Sequence, residues 1–182
     1  NIDAIDLGSA TDNAANTLEL SDAELDTVTA VSLQIGDNTI SGINVSTAIS
    51  PANVDTLRLD ANGDITQAAG ITETNLAVSS GANIALTNTG NNVTNFAASH
   101  GAALQFANNG DLTIGNITDL VGLTSANQDA TISATGSLDV ANGINIGNAS
   151  ATLSASGGSV TGAANVTAGS LNATAQNEIN LN

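Results

Sequence analysis

Leu57-Arg58-Leu59-Asp60-Ala61-Asn62-Gly63-Asp64-Ile65 decides how this chain is read. Leu57 and Leu59 fall on one face of a strand, because alternate side chains of an extended chain point the same way. Asn62-Gly63-Asp64 then supplies turn formers, and Ile65 opens the next apolar patch. The unit recurs: Leu76 follows Leu57 by 19 positions, and Phe96 follows Leu76 by 20. Outward from this stretch the same spaced pairs run along the chain. They are Leu18/Leu20, Leu33/Ile35, Ile43/Val45, Leu76/Val78, Ile84/Leu86, Leu104/Phe106, Leu112/Ile114, Leu138/Val140, Ile144/Ile146, Leu171/Ala173 and Ile179/Leu181. Turn-forming Gly, Asn, Asp, Ser and Thr lie between them, as in Ser80-Gly81-Ala82-Asn83 and Asn108-Asn109-Gly110-Asp111.

Two or three such pairs make a coil of about 19–22 residues, the size of one solenoid repeat. An antiparallel sandwich would call for larger core residues and tight hairpin signals. The chain has two Phe and no Trp or Tyr, so a compact globule lacks the bulky side chains that fill an interior. A narrow core of stacked Ile, Leu and Val needs none. The expected fold is all-β, a right-handed parallel β-helix of roughly nine coils, about 43 Å long at the spacing of stacked strands. Asn at inward turns is expected to hydrogen-bond to Asn on neighbouring coils. Residues 1–182 read as a single solenoid segment, an excerpt of a longer repeat protein. Asn1-Ile2-Asp3-Ala4-Ile5 and Glu178-Ile179-Asn180-Leu181-Asn182 read as open strands without caps.

Composition narrows function. The net charge is −16, with one Arg and no Lys. Nucleic acids are bound through Lys and Arg, and so are anionic membrane surfaces, so neither is an expected partner. No apolar run is long enough for a membrane span, and no signal peptide is visible. Without Cys there is no disulfide or thiol chemistry.

Ser21-Asp22-Ala23-Glu24-Leu25 breaks the strand pattern and reads as a capping box opening a short helical turn. Asp22, Glu24 and Asp26 are then a solvated cap rather than paired catalytic carboxylates, which must face each other across a cleft. Asp60-Ala61-Asn62-Gly63-Asp64 has the start of a calcium loop, making Asp60, Asn62 and Asp64 the metal candidates. The continuation departs from the pattern: Ile65 stands where Gly is needed and Ile71 where a bidentate Glu is needed. An Asx-rich turn is the expected reading, with calcium held weakly and diffusely by the acidic surface. His100, the only His, is expected at a surface or corner position, with no Ser-His-Asp site around it. Arg58 points outward, toward Glu19 or an Asp on a neighbouring coil. Thr27-Val28-Thr29 and Thr72-Glu73-Thr74 do not recur at coil spacing, which argues against an ice-binding array. No catalytic residue and no cofactor is expected.

Thr17-Leu18-Glu19-Leu20-Ser21-Asp22-Ala23-Glu24-Leu25, Leu33-Gln34-Ile35-Gly36-Asp37, Ile49-Ser50-Pro51-Ala52-Asn53-Val54 and Gly63-Asp64-Ile65-Thr66-Gln67-Ala68-Ala69-Gly70 together resemble the repeat regions of filamentous-haemagglutinin-like exoproteins. Asn83-Ile84-Ala85-Leu86-Thr87-Asn88-Thr89-Gly90 and Gly110-Asp111-Leu112-Thr113-Ile114-Gly115 resemble the same repeat unit. The resemblance implies a long fibrous shaft exported by two-partner secretion through an outer-membrane partner. It implies a role in adhesion, aggregation or biofilm matrix at the bacterial surface, with a host-cell, polysaccharide or matrix ligand. Polysaccharide lyases share the architecture, but the chain lacks the basic and aromatic residues their chemistry uses. Two expectations stand: the non-catalytic shaft of a secreted surface adhesin or matrix protein, and a filament subunit stacking end to end through uncapped coils.

Overall fold

The computed structural model describes residues 3–181. Asn1, Ile2 and Asn182, read above as parts of open strands, lie outside the described residues. The chain is a parallel β-solenoid of about 7 turns. Its first sheet has nine strands, all parallel, built largely from one strand per turn. The second has eleven strands and bends around a corner of the coil.

Register explains the spaced pairs. On the first sheet Ile5, Ile43, Ile65, Ile84 and Leu104 pair rung on rung and form one inward column. Facing it, Leu33, Leu57, Leu76, Phe96, Ile114 and Val140 form another. Ile35, Leu59, Val78, Ala98, Leu123 and Ile144 make a third. Each apolar side chain thus sits on a like one about 4.8 Å away, and most of these residues are wholly buried. Phe96 and Phe106, from opposite sheets, stack across the middle with centroids 4.1 Å apart and planes 8° apart.

The corners are polar and equally regular. A side-chain oxygen of Asp or Asn on one turn accepts the backbone N–H of the next. Asp64 takes Asn83 at 3.0 Å, Asn83 takes Ala103 at 3.2 Å, Asp111 takes Ser137 at 2.7 Å and Asp129 takes Ser150 at 2.8 Å. These clasps give the abundant Asx a structural task, since a backbone donor at a corner has no ladder partner of its own. An Asn-to-Asn bond does join two coils, Asn95 Nδ2 to Asn75 Oδ1 at 2.8 Å, but within paired strands at half-buried positions rather than at an inward turn as expected. Fully buried Asn91 works differently. Its oxygen accepts from Ile71 N–H and the Gln67 amide, and its amide donates to Gln67 and to the Ala107 carbonyl.

The start of the winding corrects two expectations. Ala4–Leu7 is an interior strand, flanked by Thr17–Leu20 on one side and Gly42–Val45 on the other. The outermost strand of the first sheet is therefore Thr17–Leu20. The chain runs back through residues 8–16, and the Glu19 carboxylate fastens that return. It accepts from the Ser9 and Thr11 hydroxyls at 2.8 and 3.1 Å and from the N–H groups of Asn13 and Ala14 at 2.7 Å each. These donors hold Glu19 down at about 2, from an ordinary 4.5. Two strands of one sheet are spent before the first full turn, which is one reason the coils number about 7 rather than nine. The other is the turn between Leu104 and its partner Ala130, stretched to 26 residues. Among the described residues, Ile179–Leu181 is the outer edge of the second sheet, as read from the sequence.

Candidate functional site

The acidic residues singled out in the sequence turn out to hold the coil together. Ser21 N-caps the helix Asp22–Leu25, and both halves of the capping box form: Glu24 N–H to Ser21 Oγ at 3.3 Å and Ser21 N–H to Glu24 Oε2 at 2.9 Å. Asp22 and Asp26 accept the N–H groups of Ser50 and Ala52 at 2.6 and 2.8 Å. Glu24 caps, as read from the sequence, while Asp22 and Asp26 do more than sit in solvent: they stitch the helix to the following turn.

Asp60, Asn62 and Asp64 do not converge. Asp60 Oδ2 lies 3.4 Å from Arg58 Nη2, Asn62 is exposed at the turn, and Asp64 Oδ1 accepts from both nitrogens of Asn83 at 3.0 Å. Among the described residues no three His, Cys, Asp or Glu side chains come together as a metal site.

Arg58 does point off the second sheet, but it meets neither Glu19 nor an Asp of an adjacent coil. Its main partner is Asp119, at the tip of a hairpin formed by Asn116–Ile117 and Leu120–Val121. The hairpin is an insertion between Ile114 and Leu123. One residue separates their partners Phe96 and Ala98 on the preceding rung. The inserted residues fold back across the outer face, where Ile117 and Leu120 cover Ala77 and Ala97. Re-entry into the coil requires Gly122: φ is +65° there, and a Cβ would stand 1.9 Å from the Gly143 carbonyl oxygen. The only basic side chain apart from His100 is thereby neutralised beneath a strap.

His100 occupies a corner, as expected, but it is buried, not at the surface. Its Nδ1 lies 2.6 Å from the Ala102 carbonyl, which makes Nδ1 the donor, and Nε2 has no partner. Burial lowers its pKa below the ordinary value. No serine or carboxylate touches the ring among the hydrogen bonds of the described residues.

One further carboxyl, Glu73, is buried. Glu73 lies between two outward threonines, so strand alternation turns it inward, opposite Val93 of the next rung. It is 7% exposed. Oε1 accepts the Thr74 N–H at 2.8 Å, while Oε2 has no partner. Burial, with a contribution from the charge of Asp55, raises its pKa. Beside it lies a corner groove of about 310 Å³, walled by Pro51 and Val54 and by the polar residues Ser50, Thr72, Asn92 and Thr94. The signal was available: an acid at an alternation position that holds Val on the next coil.

No family model, no curated protein and no solved structure matches this chain.

Proposed function

We propose that this chain is a shaft segment of a secreted bacterial surface adhesin or biofilm-matrix protein, a spacer rather than a catalyst. The observation that carries the reading is the unbroken register of the inward columns over the turns, with the Asx clasps repeated at the corners. Such an array has a stability that sums over turns and their interfaces, which suits an elongated load-bearing element. The acidic surface, its one Arg tied down under the hairpin, keeps neighbouring rods apart. Export through an outer-membrane partner belongs to the same reading and rests on the sequence resemblance alone.

Immunogold labelling of producing cells with an antibody against this segment tests it. Label on the cell surface or in the surrounding matrix is expected; label confined to the cytoplasm would overturn the proposal. The second reading, a filament subunit, draws on the edge rung Ser170–Ala175 and Ile179–Leu181, where Leu171 and Ile179 stand 44% and 51% exposed. Another coil or another copy would cover them. Electron microscopy of the purified chain separates the two. Stubs about 4 nm long, the thickness of nine stacked strands, fit the shaft, and long fibres fit the filament.

A further inference from the structure

We infer that the seam between the corner at residues 99–103 and the turn at residues 125–129 is where mild acid opens the solenoid, with His100 as the group whose protonation parts it. The seam lacks the clasp that closes its neighbours. At this corner position Asp64 accepts the N–H of Asn83, Asn83 accepts that of Ala103, and Asp129 accepts that of Ser150. Ala103 has only a methyl group and can accept nothing from Asp129. The two sides are tied away from each other. Gly101 and Ala102 donate to the carbonyls of Ser80 and Ala82 on the preceding turn, each at 2.9 Å. Asn127 accepts the Asn148 N–H of the following turn at 2.8 Å, and Ser125 closes on Gln128 in both directions at 3.1 Å. Outside the strand ladders, one bond crosses the seam among the described residues, from Leu104 N–H to the Asp129 carbonyl at 2.9 Å. A groove of about 430 Å³ runs along it, lined by Ser99, His100, Gly101, Thr124, Ser125 and Asn145.

His100 stands in this seam, in register with Ser80 on one side and Ser125 on the other. It is 3% exposed, its Nδ1 donates to the Ala102 carbonyl, and its Nε2 has no partner. Both nitrogens of an imidazolium are donors, and a buried charge without a partner is far costlier than a neutral ring. The hydroxyls beside it are turned elsewhere: Ser80 Oγ donates to the Gly63 carbonyl at 2.8 Å and Ser125 Oγ to the Gln128 carbonyl. The charged groups on the elements packed against it are Asp60, Asp64 and Asp129. Asp60 pairs with Arg58, while Asp64 and Asp129 are exposed and hold Asn83 and Ser150. None of them hydrogen-bonds the ring. Protonation is therefore relieved by letting water reach the ring, and the unclasped side is the side that yields. Burial holds the His100 pKa below the ordinary 6.5, so folding favours the neutral ring. The penalty is absent above 6.5 and grows as pH falls below it. A shaft and a filament would share this seam.

The test is hydrogen exchange of the full 182-residue chain, followed by mass spectrometry at about pH 7.5 and about pH 5 with the intrinsic rates divided out. Ordinary carboxylates stay ionised over that range. Glu73, if it titrates there, acts with the opposite sign, and it lies near the start of Thr72–Ser80 whereas His100 ends Asn92–His100. Residues 99–104 and 125–130 are expected to exchange about tenfold faster at the lower pH, while the clasped corner around Asp64 keeps its rate. The single His also gives one imidazole C2–H resonance, whose titration midpoint is expected below 6.5. His100→Gln, which takes up no proton, should remove the pH response of the seam. Ala103→Asn, at an exposed position and copying Asn83 of the preceding turn, should slow exchange across the seam at both pH values. No acceleration at the seam, equal acceleration at every corner, a response that survives His100→Gln, unchanged exchange in Ala103→Asn, or a midpoint at or above 6.5 would each overturn the assignment.

Discussion

The regular turns from Gly42 to Ile114 and the two segments that interrupt the winding are held by different forces. In the regular turns each residue contacts its equivalent one rung away, and cohesion comes from apolar columns closed by Asx clasps. The interruptions, residues 8–16 and the hairpin Asn116–Val121, have no equivalent above or below. One is fastened by four donors on a single carboxylate, Glu19. The other rests on two alanines and one ion pair that joins residues 61 positions apart. A repeat stabilises itself by copying, whereas an interruption needs its own particular contacts.

Breaking a column should do the most damage. Phe106→Ala removes half of the aromatic stack and leaves a void between the sheets, so chemical denaturation should show a loss of about 3–5 kcal/mol. If the columns were loosely packed, the loss would be far smaller. The hairpin gives the contrast. Ile117→Ala should cost about 2 kcal/mol, at the low end for buried Ile, because only small residues lie beneath it. Asp119→Ala should cost less than Ile117→Ala, since Asp119 is largely exposed and solvent screens the pair on its side. A larger effect for Asp119 than for Ile117 would mean that charge rather than packing holds the strap.

The pH dependence sharpens the same comparison with smaller effects. Glu19 has a folded pKa of about 2 against an ordinary 4.5, so folding favours its charged form. Its contribution is present above about 4.5 and is lost as pH falls toward 2. Glu19→Gln should therefore lower the melting temperature at neutral pH and flatten the acid limb of the stability curve. Glu73 runs the other way: its raised pKa means folding favours the protonated form, and that contribution is lost as pH rises. Glu73→Val, which copies Val93 of the next rung, should raise the melting temperature at neutral pH and change it little in acid. Stabilisation that is equal at both pH values would show that Glu73 is not a buried acid.

What the sequence revealed follows from the same division. The spaced pairs from Leu33/Ile35 to Ile144/Ile146 are legible because one register rule places them all, and the capping box at Ser21 is legible because its contacts are local. Nothing near Asp119 points to Arg58, and nothing near Ala4 shows that a later strand will pair outside it. Those arrangements depend on where the chain returns to itself. Residue spacing alone overestimates the number of coils, because the start and the hairpin consume residues without adding turns. Glu73 is legible by the same alternation rule, because it stands between two outward threonines in register with Val93.

The most direct test of the stacked register uses paired cysteines, since the chain has none of its own. Thr131 and Thr152 are in-register neighbours on the outer face of the first sheet, and Ser154 lies two residues further along the second of these strands. In-register Cα atoms are about 4.8 Å apart, within disulfide reach, whereas the diagonal pair is roughly 8 Å apart and out of reach. Mild oxidation should close Thr131→Cys with Thr152→Cys and leave Thr131→Cys with Ser154→Cys open. Closure of the diagonal pair, or of neither, would contradict the parallel in-register stack.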